Sequence, residues 1–213
     1  LKFYFEHIMS PFKSFVRKAV EKIRDLDIEM ICTGHGPVID KNPRLIIDKY
    51  NAMAQETNPN QNKTVIIAYG YTKILAEEIE KGVKAAGEIE VRKFDLEDAD
   101  HSLIASVAAE WYWADGVLLG SPTILGEALK PIWDLTTAVF ASTHGNKIAS
   151  AFGSYGWTGE AVPNIIMRLG QLKMKIYGEG YRVKFKPSEE QLKSAFEFGK
   201  NFGKCVLEGK IVD

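Results

Sequence analysis

The sequence predicts a doubly wound α/β fold, a five-stranded parallel sheet in the order 2-1-3-4-5 with helices on both faces. Three observations predict it. From Thr64 onward, apolar runs and amphipathic segments alternate strictly, the pattern of strand and crossover helix. The run 116–120 is apolar throughout, as a strand covered on both faces must be. Loops carrying glycine and hydroxyl residues follow the first, third and fourth runs, where the carboxyl ends of parallel strands gather around a ligand.

The elements follow in order. Residues 11–26 read as an amphipathic helix, with Phe12, Phe15, Val16, Ala19, Val20 and Ile23 at helical spacing. Ser10 suits its N-cap and Pro11 its first position. The apolar run 28–32 reads as a buried strand ending in the loop Thr33-Gly34-His35-Gly36-Pro37. Asn42-Pro43 opens a second helix to about residue 54. Residues 55–62 are polar or turn-forming without exception and read as a linker.

The regular pattern starts there. Residues 64–68 form a β-branched strand, and 72–86 a helix with Leu75, Ala76, Ile79 and Val83 on one face. Residues 88–94 alternate, as near a sheet edge. A helix at 102–113 leads to the strand 116–120. The segment 127–141 contains a helix with Pro131 in its first turn. Residues 147–153 are a strand, 159–169 a helix, and 174–177 with 181–185 one broken strand. Ser188 and Gln191 make a capping box for a last helix to about residue 208. Its Leu192, Phe196, Phe202 and Val206 face the core, with Cys205 buried among them.

Composition narrows the class. The chain has 213 residues, 46% apolar and 26% charged, as in soluble globular proteins. That length is too long for one small α/β unit and too short for two full enzyme domains. The 27 basic and 28 acidic residues leave a net charge of −1, which gives no broad field for nucleic acid or an anionic membrane. No apolar stretch suits a membrane span or signal peptide. Cys32 and Cys205 lie far apart with no CxxC, which reads as a reduced, cytoplasmic protein. Leu1 opens the sequence without an initiator Met, so the chain is expected to begin inside something larger.

Three loops carry the chemistry. The first, Tyr69-Gly70-Tyr71-Thr72, runs into a helix; its glycine, its hydroxyl and the helix N-terminus suit a phosphate. The second, Ser121-Pro122-Thr123-Ile124, leaves the most apolar strand with small and hydroxyl residues. The third runs from Gly153 through Ser154, Tyr155, Gly156 and Trp157 and offers flat surfaces for a planar ring. Together they suit a heterocycle with one terminal phosphate, FMN rather than NAD. No GxGxxG follows the first strand, and no acidic residue is placed for a dinucleotide ribose.

The ordered set Tyr-Gly-x-Thr, Gly-Ser-Pro-Thr and Phe-Gly-Ser-Tyr-Gly-Trp-x-Gly-Glu-Ala resembles the flavodoxin domain of flavodiiron proteins (A-type flavoproteins). His-Ile-Met-Ser-Pro-Phe at 7–12 and Thr-Gly-His-Gly-Pro-Val at 33–38 resemble the end of that family's metallo-β-lactamase-like αββα domain. The resemblance implies three parts: residues 1–58 from the diiron domain, a linker at 59–63, and a flavodoxin-like FMN domain at 64–213. It implies that Tyr69 to Thr72 hold the FMN phosphate. Ser121, Pro122, Thr123 and Ile124 would contact the flavin and ribityl chain, and Gly153 to Trp157 would line the isoalloxazine. It implies reduction of O2 to water or of NO to N2O, with electrons passing from FMN to two irons. The donor would be a rubredoxin-like protein or an NAD(P)H-dependent reductase, and the assembly a head-to-tail dimer or tetramer.

Two departures from the family pattern stand out. Among His7, His35, His101 and His144 only His35 matches a metal ligand, and one imidazole cannot hold two irons; a diiron site requires an upstream domain. Ile66 and Ile67 run straight into Ala68-Tyr69, so the phosphate loop is shorter than the family's. A shortened loop also fits a non-catalytic flavodoxin-like interaction or assembly module. A lactamase-type hydrolase lacks its metal-binding run, and a flavodoxin-like quinone reductase leaves residues 1–58 without a role. The acidic run Asp95, Glu97, Asp98 and Asp100 reads as solvated and suited to a basic partner. Trp111, Tyr112 and Trp113 read as packing residues.

Overall fold

The computed structural model describes residues 1–9, 12–55 and 57–212. The chain divides into two compact units, Leu1–Asn58 and Pro59–Asp213.

The first unit is helical. A short helix α1 (Lys2–Tyr4) runs into a π-helical turn at Phe5–Met9, followed by α2 (Lys13–Lys22) and α3 (Pro43–Ala54). The expected cap Ser10 and its neighbour Pro11 lie outside the described residues, as does Glu56 of the expected linker. Asn42 caps α3, its side chain accepting from Leu45 N at 3.3 Å. Phe5, Val16 and Ala54 form a small core. The buried strand expected at 28–32 is absent from the described residues. Ile31 makes one antiparallel bridge to Ile39, while Met30 and Cys32 are exposed. An apolar run becomes a buried strand only where a sheet accepts its N–H and C=O groups, and beyond Ile39 nothing pairs with this run among the described residues.

The second unit is the predicted α/β sheet. Its elements are β1 (Lys63–Tyr69), α4 (Lys73–Ala85), β2 (Ile89–Asp95), α5 (His101–Trp113), β3 (Gly116–Gly120), α6 (Lys130–Thr137), α7 (Ala141–His144), β4 (Ile148–Tyr155), α8 (Ala161–Gln171), β5 (Lys175–Ile176), β6 (Tyr181–Lys184) and α9 (Glu189–Glu208). The strands run parallel in the order β2-β1-β3-β4-β5, and β6 also pairs with β4. The broken fifth strand is thus two pieces on one neighbour. Strand alternation sorts the core. Ile66, Ala68, Val117 and Leu119 pack with α5, α6 and α8 on one face. Val65, Ile67, Tyr69, Leu118 and Phe152 pack with α4 and α9 on the other. The capping box at Ser188 and Gln191 is present, and Cys205 is fully buried. Trp111 is buried in the first of these cores, while Tyr112 and Trp113 meet edge to face at 4.8 Å.

Candidate functional site

Parallel register sets Tyr69 beside Gly120, and Gly120 beside Phe152. The segments after β1 and β3 leave the sheet from this row while β4 runs on to Tyr155, and all three predicted segments share the carboxyl edge.

The loop after β3 is tied down by its own hydroxyls. Ser121 is fully buried; its Oγ donates to Pro122 O at 2.8 Å and accepts from Leu129 N at 3.0 Å. Thr123 N donates to Ser154 O at 2.9 Å, and Thr123 Oγ1 accepts from Ala161 N at 3.2 Å, at the start of α8. The Ser121 hydroxyl thus braces its own loop and the Thr123 hydroxyl ties that loop to the start of α8. Pro122 is half-buried between them, and Ile124 is exposed. Ile124 and Glu127 then bridge through bonds of 2.9 and 3.0 Å. The turn between them holds Leu125 at φ 52° and Gly126 at φ 76°. Two consecutive positive φ values make a primed turn, which glycine adopts freely and leucine does not. Leu125 stands fully in solvent, at 101% relative exposure.

The loop after β4 runs against it. Ser121 N donates to Phe152 O at 3.0 Å. A Cβ on Gly153 would lie 1.9 Å from Ser121 O, so only glycine lets β4 pass there. Ser154 and Gly156 are half-buried. The Tyr155 ring packs on Gly159, where a Cβ would come within 2.9 Å of it. Trp157 projects outward, 89% exposed. Phe185, 67% exposed at φ 60°, donates its N–H to Tyr155 O at 2.8 Å. Sequence reasoning missed Leu125 and Phe185. The signals were a Leu-Gly pair where turns usually carry Asn-Gly, and an aromatic between two lysines at a strand end.

The turn after β1 has only three residues, Gly70, Tyr71 and Thr72. Gly70 N donates to Gly120 O at 3.1 Å. Tyr71 is left-handed at φ 56° and 62% exposed. Thr72 precedes α4 but makes no side-chain cap. Its hydroxyl is buried without a hydrogen-bond partner, 2.9 Å from where a Cβ on Gly120 would sit. The left-handed Tyr71 turns the chain so tightly that Thr72 is carried in against β3.

Acidic groups surround this turn. Asp95, Glu97 and Asp98 are all exposed. Glu97, by its charge and then its hydrogen bond, raises the Tyr71 phenol above its ordinary value, with smaller help from Asp98 and Asp95. The Tyr69 phenol is raised first by burial and then by Asp95. Asp100 caps α5, accepting from Leu103 N at 2.8 Å.

His35 is exposed on a loop of the first unit. It lines an apolar cleft of about 860 Å³ with Ile31, Ile39 and Tyr50. Among the described residues, no three His, Cys, Asp or Glu side chains gather as a metal site. His101 begins α5, and His144 is buried with its Nδ1 accepting from Phe140 N at 3.2 Å.

A parallel 2-1-3-4-5 sheet with its loops gathered at one carboxyl edge is the architecture of a flavodoxin-like domain. The chain belongs to the flavodoxin family, whose model (Flavodoxin) matches residues 68–199. Its similarity extends beyond that domain to flavodiiron proteins. It is 38% identical over 211 residues to the flavo-diiron protein FprA2 of Clostridium acetobutylicum, covering 96% of this chain and 52% of that one. It is also 38% identical over 208 residues to the type A flavoprotein fprA of Rhodobacter capsulatus, covering 93% and 47%. The chain thus spans about half the length of the curated relatives it matches. Among solved structures, the flavodiiron protein from Giardia intestinalis superposes with a TM-score of 0.69 at 27% identity, over 97% of this chain and 51% of that one. A flavodoxin from the domain Archaea matches at 26% identity with a TM-score of 0.55, over 68% and 99%. Among the described residues, no helix is long and apolar enough to cross a membrane.

Proposed function

We propose that residues 64–213 form an FMN-binding electron-transfer domain, joined through a linker at 59–63 to residues 1–58 of a lactamase-like diiron domain. The chain would deliver electrons within a flavodiiron-type oxidoreductase that reduces O2 to water or NO to N2O. The observation that carries this reading is Trp157, an exposed indole on the glycine-rich loop after β4, in a chain whose relatives along nearly its whole length are flavodiiron proteins.

The residues present fit the ring of a flavin. Trp157 and Tyr155 offer aromatic surface, Ile124 and Leu125 an apolar rim, and Gly153 a backbone free of side chain. The Thr123–Ser154 and Ser121–Phe152 backbone bonds hold the two ring-side loops at fixed separation, so the site is set before a ligand arrives. A bound flavin supplies one- and two-electron redox chemistry, and the protein supplies binding and electronics. The residues present do not fit a two-iron centre. His35 would contribute one ligand, and the rest are not among the described residues.

An exposed acidic rim at Asp95, Glu97 and Asp98 suits docking of a basic partner surface, and the electron donor on this reading is a rubredoxin-like protein or an NAD(P)H-dependent reductase. The assembly on this reading is a head-to-tail dimer or tetramer, as the family resemblance implies. The two unpaired thiols, Cys32 and Cys205, support a cytoplasmic location.

Titration of the chain with FMN tests the reading. One flavin per chain, with its fluorescence quenched and its visible bands shifted, is expected. A chain that takes up no flavin contradicts it.

A further inference from the structure

The ring side and the phosphate side of this crevice are unequal, and the inequality bears on which flavin binds. A phosphate cradle needs N–H and hydroxyl donors directed at the anion, usually with positive charge nearby. The turn after β1 has part of its donor set committed or turned inward. Its Gly70 N–H is spent on Gly120 O at 3.1 Å. Its one aliphatic hydroxyl, Thr72 Oγ1, is buried under the turn without a partner. The Tyr71 phenol lies in the field of Glu97, the largest cause of its raised pKa. The N–H groups of Tyr71 and Thr72 and the first ones of α4 remain, with a positive end worth about half a charge. Against them stand three exposed carboxylates, Asp95, Glu97 and Asp98. Their reach over this turn shows in the raised Tyr71 phenol, for which Glu97 is the largest cause. Lys73 at the start of α4 is exposed, where water and salt screen its charge.

Resting on the flavin reading above, we infer that this chain holds its flavin by the ring and leaves the phosphate largely in solvent, so that riboflavin and FMN bind with nearly equal affinity. Selectivity then comes from the isoalloxazine and the loops after β3 and β4. The turn after β1 closes the end of the site without gripping it.

Calorimetric titration of the full chain with FMN and with riboflavin, at low and at high salt, tests this. The inference expects dissociation constants within about tenfold of each other, and an FMN affinity that holds or improves as salt screens the acidic rim. FMN binding more than about a hundredfold tighter, and weakening with salt, overturns it while leaving the flavin reading intact. If neither flavin binds, both fail. Glu97→Lys provides a second readout at an exposed position. The inference expects tighter FMN binding with riboflavin unmoved, and an unchanged ratio of the two counts against it.

Discussion

The two loops after β3 and β4 and the turn after β1 share the carboxyl edge of the sheet, yet they are built on opposite plans. The loops spend their polar atoms within the protein: Ser121 on Pro122 and Leu129 of its own loop, Thr123 on Ser154 and Ala161 across from it. Their large exposed side chains are apolar, Ile124, Leu125 and Trp157. The turn folds its hydroxyl inward and meets solvent with a left-handed tyrosine among carboxylates. Position at the carboxyl edge is therefore shared by segments that commit their polar atoms in different ways. What matters is which atoms remain uncommitted once the loop has satisfied its own backbone.

Two alanine substitutions should separate the plans most sharply. Gly153→Ala drives a Cβ to 1.9 Å from Ser121 O, a backbone atom that cannot step aside. It should cost about 3 kcal/mol or more. Gly70→Ala meets only the flexible end of Leu129 at 3.1 Å and should cost less than about 1 kcal/mol. Urea unfolding of the two variants reads the difference, and equal losses would break the comparison.

Trp157→Ala tests the ring side directly. The indole is 89% exposed, so its removal should leave stability within about 0.5 kcal/mol. Loss of one stacking surface, about 1 kcal/mol, should weaken flavin binding roughly fivefold, as read by fluorescence titration. A full retention of affinity would place the ring elsewhere.

Leu125→Asn sharpens the same side more gently. Asparagine tolerates the left-handed backbone that leucine resists. The variant should gain up to about 1 kcal/mol in thermal unfolding. If flavin affinity falls at the same time, the strained leucine is held there for contact with the ring.

The sheet was legible because burial leaves a compositional trace. The strand Gly116–Gly120 is apolar at every position, and β2, whose burial is only partial, alternates as its edge position requires. The cap at Ser188 follows from local hydrogen-bonding chemistry alone. The run 28–32 shows the limit, since a strand needs a partner and composition does not say whether one exists. The three chemical loops were placed correctly at one edge. The sequence did not reveal the direction of their hydroxyls. Ser121, Thr123 and Thr72 read as donors to a ligand, and two are instead bonded within the protein while the third is buried alone. Side-chain direction there depends on single backbone torsions, such as φ 56° at Tyr71, which residue type does not specify.

Thr72→Val addresses the central claim with the least disturbance, because it removes one buried hydroxyl and keeps the side chain's shape. FMN titration of this variant, with its unfolding free energy measured alongside, is the most direct test. A turn that does not hold the phosphate predicts unchanged FMN affinity and about 1 kcal/mol of added stability, since an unpartnered buried hydroxyl is destabilising. An FMN affinity that falls tenfold or more while riboflavin binding stays constant, about 1.4 kcal/mol lost at the phosphate alone, would contradict it.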